Sequence, residues 1–232
     1  MPQQDAYING TPYQTEQGET IYDFVSRHLG DETIPVLCHD PALEPFGSCR
    51  MCSVEVSSGP DVKRRVVAAC HTPVTAGLYL WPDSERSERL RGNIMQLLLS
   101  DYPEDRLDPA PGELPTPFQK MVRRYPPAEW RLPKGETHQP PDTSHPYIRF
   151  DPAECINCYR CIRACDEVQG EFVLSMHGRG HASRIIRSLD QSFADSDCVA
   201  CGRCVQTCPS NALIDRYRAK TIQAERRVRT VC

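Results

Sequence analysis

Over its first 30 residues the chain switches from short extended stretches to a helical repeat of apolar positions. Tyr7-Ile8 and Tyr13 flank Asn9-Gly10, a pair that tolerates the positive φ angles of a two-residue hairpin turn. Ile21, Phe24, Val25 and Leu29 then recur at helical spacing, and Gly30 ends the run. Val54-Glu55-Val56 and Arg65–Ala69 are further short strands by composition, and both flank cysteines. Residues 84–100 predict one helix. Ser84 is placed as its N-cap, Glu85 and Glu88 occupy the electropositive first turn, and Leu90, Ile94, Leu97 and Leu98 form an apolar stripe expected to pack on the same domain.

The pattern then dissolves. Eleven of the 21 prolines fall in residues 103–146, including Pro126-Pro127 and Pro140-Pro141. Proline at that density forbids a regular helix or a central strand. The stretch predicts an extended connection over a surface, with a short helix at Phe118–Tyr125 and an anchor at Trp130. Beyond it, Tyr147–Phe150 reads as a strand and Ala212–Tyr217 as a closing one. Glu171–Met176 and Arg184–Arg187 are expected to pair across the loop holding Gly178 and Gly180. The chain thus divides into a first domain (1–83), its helix (84–102), the proline-rich connection (103–146), a second domain (147–215) and a basic tail (216–232).

Composition says what could hold such small domains together. Hydrophobic residues are 39% of the 232, thin for one core of this length, and bound metal supplies folding energy that a thin core lacks. Of the 13 cysteines, twelve fall into three sets of four: Cys38, Cys49, Cys52 and Cys70; Cys155, Cys158, Cys161 and Cys165; Cys198, Cys201, Cys204 and Cys208. Met1–Asp5 has neither the basic nor the apolar region of a signal peptide. Thiols kept for metal in the cytoplasm are therefore expected, not the disulfides of a secreted protein. No stretch approaches the ~20 apolar residues of a membrane span.

The two later sets both have the spacing C-x2-C-x2-C-x3-C, and Pro209 follows the second. Bacterial ferredoxins hold [4Fe–4S] clusters with this run. Three thiolates from one tight turn cover three irons of a cubane, and in such ferredoxins the fourth comes from the other run. Cys155, Cys158, Cys161 and Cys208 are therefore assigned to one [4Fe–4S] cluster, and Cys198, Cys201, Cys204 and Cys165 to a second. The repetition is the internal duplication of a two-cluster ferredoxin. Zinc also uses C-x2-C, but normally as two well-separated pairs per ion. The first set is C-x10-C-x2-C-x17-C. It shares with plant-type ferredoxins a leading cysteine, a loop, a C-x2-C pair and a remote fourth. Gly47-Ser48 before Cys49 suits a loop that turns its N–H groups toward sulfur. A [2Fe–2S] cluster is expected there, with zinc or a partial site as the alternative. The expected fold class is α+β: a β-grasp [2Fe–2S] ferredoxin domain and a bacterial-type two-[4Fe–4S] ferredoxin-like domain joined by the proline-rich connection.

Gly47-Ser48-Cys49-Arg50-Met51-Cys52 resembles the first cluster loop of the family that contains the respiratory complex I 75 kDa subunit, soluble NAD-linked hydrogenases and cytosolic NAD-linked formate dehydrogenase α subunits. His145-Pro146-Tyr147-Ile148, Cys155-Ile156-Asn157-Cys158-Tyr159-Arg160-Cys161 and Cys165-Asp166-Glu167-Val168-Gln169-Gly170 look most like the N-terminal region of the formate dehydrogenase branch. The resemblance covers most of the chain and is weakest in the proline-rich segment. It implies an electron relay between a molybdopterin (Mo/W) catalytic subunit or domain and a flavin/NAD-binding diaphorase-type subunit. The electron-transfer subunit of a soluble NAD-linked hydrogenase is the next reading. A fumarate reductase-type subunit fits less well, because its first cysteine gap is shorter. A non-redox zinc-binding assembly protein is the alternative of another class. Many relatives carry a further cluster held by one histidine and three cysteines, beginning N-H-P-x-D-C. Here Tyr102 stands for the histidine and Arg106 for the cysteine, and no cysteine occurs from 71 to 154, so that cluster is expected to be absent. Val228–Cys232 resembles the entry to a molybdopterin domain, which implies a truncated continuation or a separate catalytic subunit.

Net charge is −4 before clusters are counted, and each four-thiolate cluster adds roughly −2. Nucleic acid is not an expected partner. Arg216, Arg218, Lys220, Arg226, Arg227 and Arg229 form the basic tail, read as a solvated helix face or a docking segment. His39 and His71 adjoin Cys38 and Cys70, but four cysteines already complete that ligand set, so the histidines are expected to pack the loop or tune it. His177 and His181 are read as surface hairpin residues, and His138 and His145 as structural or solvent-facing. Neither a dinucleotide nor a triphosphate glycine motif occurs. Any NAD or flavin is therefore expected on a partner, and no catalytic residue is assigned in this chain.

Overall fold

The computed structural model describes residues 5–127 and 139–217. Trp130, His138, the basic residues from Arg218 onward and Cys232 lie outside them. The chain forms two units, Met1–Leu99 with Arg123–Leu132, and Ser100–Val122 with Pro133–Cys232.

In the first unit Asn9 and Gly10 take φ of 50° and 86°. This closes β1 (Asp5–Ile8) onto β2 (Thr11–Gln14), with Ile8 opposite Thr11. The helix α1 (Ile21–Leu29) begins at a capping box: the Thr20 hydroxyl accepts from the Asp23 N–H, and the Asp23 carboxylate accepts from the Thr20 N–H. Its Ile21, Phe24 and Val25 are fully buried in one core with Ala6, Val54, Val56 and Leu80. The sheet has the order β2-β1-β5-β3-β4, where β3 is Ser53–Ser57, β4 is Arg65–Ala68 and β5 is Tyr79–Trp81. The central strand β5 runs parallel to β1 and antiparallel to β3. Local pattern does not announce it. It is three residues long, and only pairing with strands far away in sequence makes it a strand.

The helix α2 (Glu85–Asp101) starts at Ser84, whose hydroxyl accepts from the Ser87 N–H at 3.2 Å. Its buried face is not the predicted one. Leu97 is 60% exposed and Leu90, Ile94 and Leu98 are half-buried. Ser87, Arg91, Met95 and Leu99 point inward instead. The stripe is displaced because a fully buried arginine sits at its centre, held by backbone carbonyls that no hydropathy pattern reveals.

In the second unit β6 (Ile148–Phe150) pairs antiparallel with β9 (Leu213–Asp215), and β7 (Leu174–His177) with β8 (Arg184–Arg187). The strand expected from Glu171 begins later, since Phe172 turns to φ 53°. Ile148, Phe150, Leu174, Ile185, Phe193 and Leu213 form the core together with Cys161 and Cys204. The proline-rich connection contains a 3-10 turn at Glu104–Arg106 and the helix α3 (Pro117–Arg124). Phe118, Gln119 and Val122 of α3 are buried. Two short helices, α4 (Arg160–Arg163) and α5 (Arg203–Thr207), follow the C-x2-C turns. A π-helical turn, Ala164–Gln169, extends α4.

Candidate metal centres

The site in the first unit is a loop pinned by strands. Cys52 directly precedes β3, and Cys70 follows β4 at its partner end. Between Cys38 and Cys52 the backbone enters the left-handed region at Gly47 (φ 68°) and Arg50 (φ 62°). At Gly47 a Cβ would meet the His71 Cβ at 3.4 Å, so the loop lies close against the segment bearing Cys70. His71 Nδ1 lies 3.1 Å from the Pro45 carbonyl, and the His39 ring packs on Tyr22 with centroids 4.7 Å apart.

This folding draws the first four thiols together. The Cys38 N–H donates to Cys49 Sγ and the Cys49 N–H to Cys38 Sγ, each at 3.4 Å. Cys52 Sγ and Cys70 Sγ are 3.3 Å apart. Cys38, Cys52 and Cys70 are buried and Cys49 is half-buried. Hydrogen bonds from the Cys49 and Cys70 thiols pull Cys38 down to about 2, and the bond from Cys70 lowers Cys52. The protons stay on Cys49 and Cys70, which the same contacts push well up. Four thiolates packed this tightly need a cationic core, and an iron–sulfur core fits the donor set by displacing the remaining protons.

In the second unit the two cysteine runs repeat one backbone path. Asn157 and Ala200 take φ of 50° and 57°, and two residues later Tyr159 and Gly202 take 66° and 75°. Each turn aims N–H groups at sulfur: the Ala200 N–H donates to Cys198 Sγ at 3.4 Å. One cavity is lined by Cys155, Cys158, Cys161 and Cys208 together with Phe150 and Leu213. A second is lined by Cys165, Cys198, Cys201 and Cys204 together with Leu174 and Phe193. Among the described residues no three His, Cys, Asp or Glu side chains are arranged around a single ion. Each cavity instead brings four thiols to one apolar space, three from one run and one from the other. Burial pushes Cys155 and Cys204 up to about 12 and raises Cys158, Cys161 and Cys198 as well. These thiols stay protonated until a cationic core replaces the proton.

Sequence reasoning missed the groups that brace these sites. The Arg91 guanidinium donates to the carbonyls of Met51, Ser53 and Pro82. The Tyr102 hydroxyl donates to the Ser210 carbonyl at 3.1 Å, and the Phe118 N–H to the Pro209 carbonyl at 2.9 Å. Ser210 Oγ in turn donates to the Glu154 carbonyl at 2.6 Å. The turn after Cys208 is thus gripped by the segment in which the resemblance expects no cluster. Glu154 is itself buried, and burial pushes its carboxyl up to about 7, with Arg106 at 3.7 Å offsetting part of the effect. His145 is structural: its Nδ1 accepts from the Tyr147 and Ile148 N–H groups, and burial lowers its pKa. The only signals in the sequence are an arginine one helical turn before Met95 and a tyrosine where the resemblance expects histidine.

Comparison with known proteins agrees with this layout. Residues 5–85 match the 2Fe–2S iron-sulfur cluster binding domain, and residues 154–212 the 4Fe–4S dicluster domain. An NADH-quinone oxidoreductase subunit of Rhizobium meliloti is 33% identical over 219 residues, which cover 92% of this chain and 24% of that protein. The NADP-reducing hydrogenase subunit HndD of Solidesulfovibrio fructosivorans is 35% identical over 216 residues, 90% of this chain and 35% of that protein. The chain therefore spans about a quarter to a third of the length of these curated relatives. A chain in the crystal structure of an NAD+-reducing [NiFe]-hydrogenase in the H2-reduced state shares the fold, with a TM-score of 0.76 and 24% identity over 93% of this chain and 88% of that one. No helix among the described residues is long and apolar enough to cross a membrane. This chain is an iron–sulfur electron-transfer module for one [2Fe–2S] and two [4Fe–4S] clusters, a 2Fe–2S ferredoxin domain followed by a 4Fe–4S dicluster domain, related to iron–sulfur subunits of NADH-quinone oxidoreductase and of NADP-reducing hydrogenase.

Proposed function

We propose that the chain passes electrons in the cytoplasm between a formate dehydrogenase-like molybdopterin (Mo/W) centre and a flavin/NAD-reducing partner. In this reading Cys38, Cys49, Cys52 and Cys70 hold the [2Fe–2S] cluster. Cys155, Cys158, Cys161 and Cys208 hold one [4Fe–4S] cluster, and Cys198, Cys201, Cys204 and Cys165 the other. The observation that carries it is the pair of cavities in the second unit, each ringed by three thiols of one run and one of the other. Bound there, the clusters supply one-electron oxidation and reduction. The chain's own residues bind, orient and shield. The N–H groups of Cys38, Cys49 and Ala200 meet sulfur and favour the charged thiolates. Phe150, Leu174, Phe193 and Leu213 give the cavities apolar walls.

The molybdopterin branch is supported by the loops at His145–Gly170. A second reading, the electron-transfer subunit of an NAD(P)-linked hydrogenase, is favoured by the 35% identity to a hydrogenase subunit. Both readings place a nicotinamide-handling protein on one side. The test is anaerobic purification of the protein with its native partners, followed by addition of formate, H2 or NADH. Bleaching of the cluster absorbance by formate and by NADH supports the first reading. Bleaching by H2 and not by formate transfers support to the second. A protein that dithionite bleaches but none of the three reduces contradicts both.

A further inference from the structure

Arg91 holds no ligand position, yet it is the largest fully buried side chain among the described residues. Its Nε donates to the Met51 carbonyl at 3.2 Å, and its Nη2 donates to the carbonyls of Ser53 at 2.8 Å and Pro82 at 2.7 Å. Met51 and Ser53 flank Cys52, and the Met51 carbonyl belongs to the same peptide group as the Cys52 N–H. Met51 is itself 0% exposed, and its N–H faces the Cys49 sulfur. One guanidinium therefore grips the C-x2-C pair on both sides of Cys52.

The charge on that guanidinium is answered by one carboxylate at the protein surface. Its sole ion-pair partner among the described residues is Glu88, 2.5 Å from Nη1, and that side chain is 38% exposed while Arg91 is 0% exposed. Water screens the carboxylate more than it screens the buried cation. The other three partners are neutral carbonyls. Ion pair and carbonyls together satisfy the buried group. The gripped loop carries Cys49 and Cys52 of a four-thiol site, which gains negative charge whenever an electron is added to a cluster there. A nearby cation favours the more negative state.

We propose that Arg91 is a positioning residue of the [2Fe–2S] site: it fixes the Cys49–Cys52 loop and, as a buried cation whose counter-ion reaches solvent, holds the reduction potential of that site above what the loop alone would set. The inference rests on the assignment of Cys38, Cys49, Cys52 and Cys70 to the [2Fe–2S] cluster. A purely structural plug would change loop order and stability but not the potential of protein that still loads.

The experiment is a potentiometric titration of the full chain, reconstituted anaerobically and followed by EPR, for wild type, Arg91→Gln, Arg91→Lys and Glu88→Gln. Arg91→Gln shifts the [2Fe–2S] midpoint negative and alters its g-values, leaving both [4Fe–4S] midpoints in place. Arg91→Lys keeps the charge but not the fork, and recovers part of the midpoint. Glu88→Gln removes the counter-charge and shifts the midpoint positive. Arg91→Gln protein that loads with wild-type midpoint and g-values overturns the proposal. If Arg91→Gln does not load, an unmoved midpoint in Glu88→Gln overturns it instead. A wild-type protein with no [2Fe–2S] signal overturns the ligand assignment and the role of Arg91 together.

Discussion

Tyr102→Phe, set beside Phe118→Ala, asks how strongly the segment before the second ferredoxin domain holds Cys208. Tyr102 is 3% exposed and its hydroxyl donates to the Ser210 carbonyl at 3.1 Å. Burial raises the phenol pKa further, so the group donates as a neutral hydroxyl at any working pH. Deleting it removes one neutral hydrogen bond, about 1 kcal/mol net, and up to about 3 kcal/mol if the buried carbonyl finds no new donor. Phe118 is 0% exposed, and its ring lies 4.7 Å from that of Tyr102. Truncation to alanine costs about 3–5 kcal/mol from lost burial and the cavity left behind, plus about 1 kcal/mol of ring contact. Its N–H still reaches the Pro209 carbonyl. Anaerobic denaturant titration of the loaded protein, following the visible cluster absorbance, is expected to rank wild type above Tyr102→Phe above Phe118→Ala. Because the two rings touch, the double variant should cost less than the sum. A Tyr102→Phe protein indistinguishable from wild type, or one as damaged as Phe118→Ala, would refute the reasoning.

Cys165→Ser is expected to abolish the EPR signal of the cluster in the Cys198 cavity. Loss confined to the other [4Fe–4S] signal counts against the pairing. Glu154 gives a pH signature. Burial raises its folded pKa to about 7 from an ordinary 4.5, so the folded state holds the proton more tightly than the unfolded state. The charged carboxylate therefore costs stability, little at low pH and fully above the folded value. Glu154→Gln should gain about 1 kcal/mol over wild type at pH 5 and about 3 kcal/mol at pH 8; a gain in anaerobic urea titrations that does not grow with pH contradicts the assignment. Two glycines should respond in opposite directions. At Gly178, φ is +78° and a Cβ would stand 2.4 Å from the Ala182 carbonyl oxygen, so Gly178→Ala should cost more than about 1 kcal/mol. At Gly92, inside α2, a Cβ meets nothing within 4 Å, so Gly92→Ala should gain about 0.5–1 kcal/mol. Melting curves showing both changes with one sign would contradict this.

Residues with short-range chemistry are legible in advance. Asn9-Gly10 closes its hairpin because both residues enter positive φ, and Thr20 caps α1 through a residue three positions away. The cysteine runs carry their own geometry in their spacing. Legibility ends where a distant partner decides the outcome. β5 exists through its pairing with β1 and β3, neither of them near in sequence. The stripe on α2 is displaced because hydropathy treats Arg91 as solvent-facing, whereas three carbonyls satisfy it in the interior. Tyr102 shows the same limit: the resemblance expects a histidine there, but the bond to Ser210 appears only in the folded chain.

Metal analysis of the anaerobically isolated protein decides whether the twelve thiols hold three clusters. Two [4Fe–4S] clusters and one [2Fe–2S] cluster require about ten irons and about ten acid-labile sulfides per chain, with both cluster types visible by EPR after dithionite reduction. Stoichiometric zinc without sulfide would contradict it.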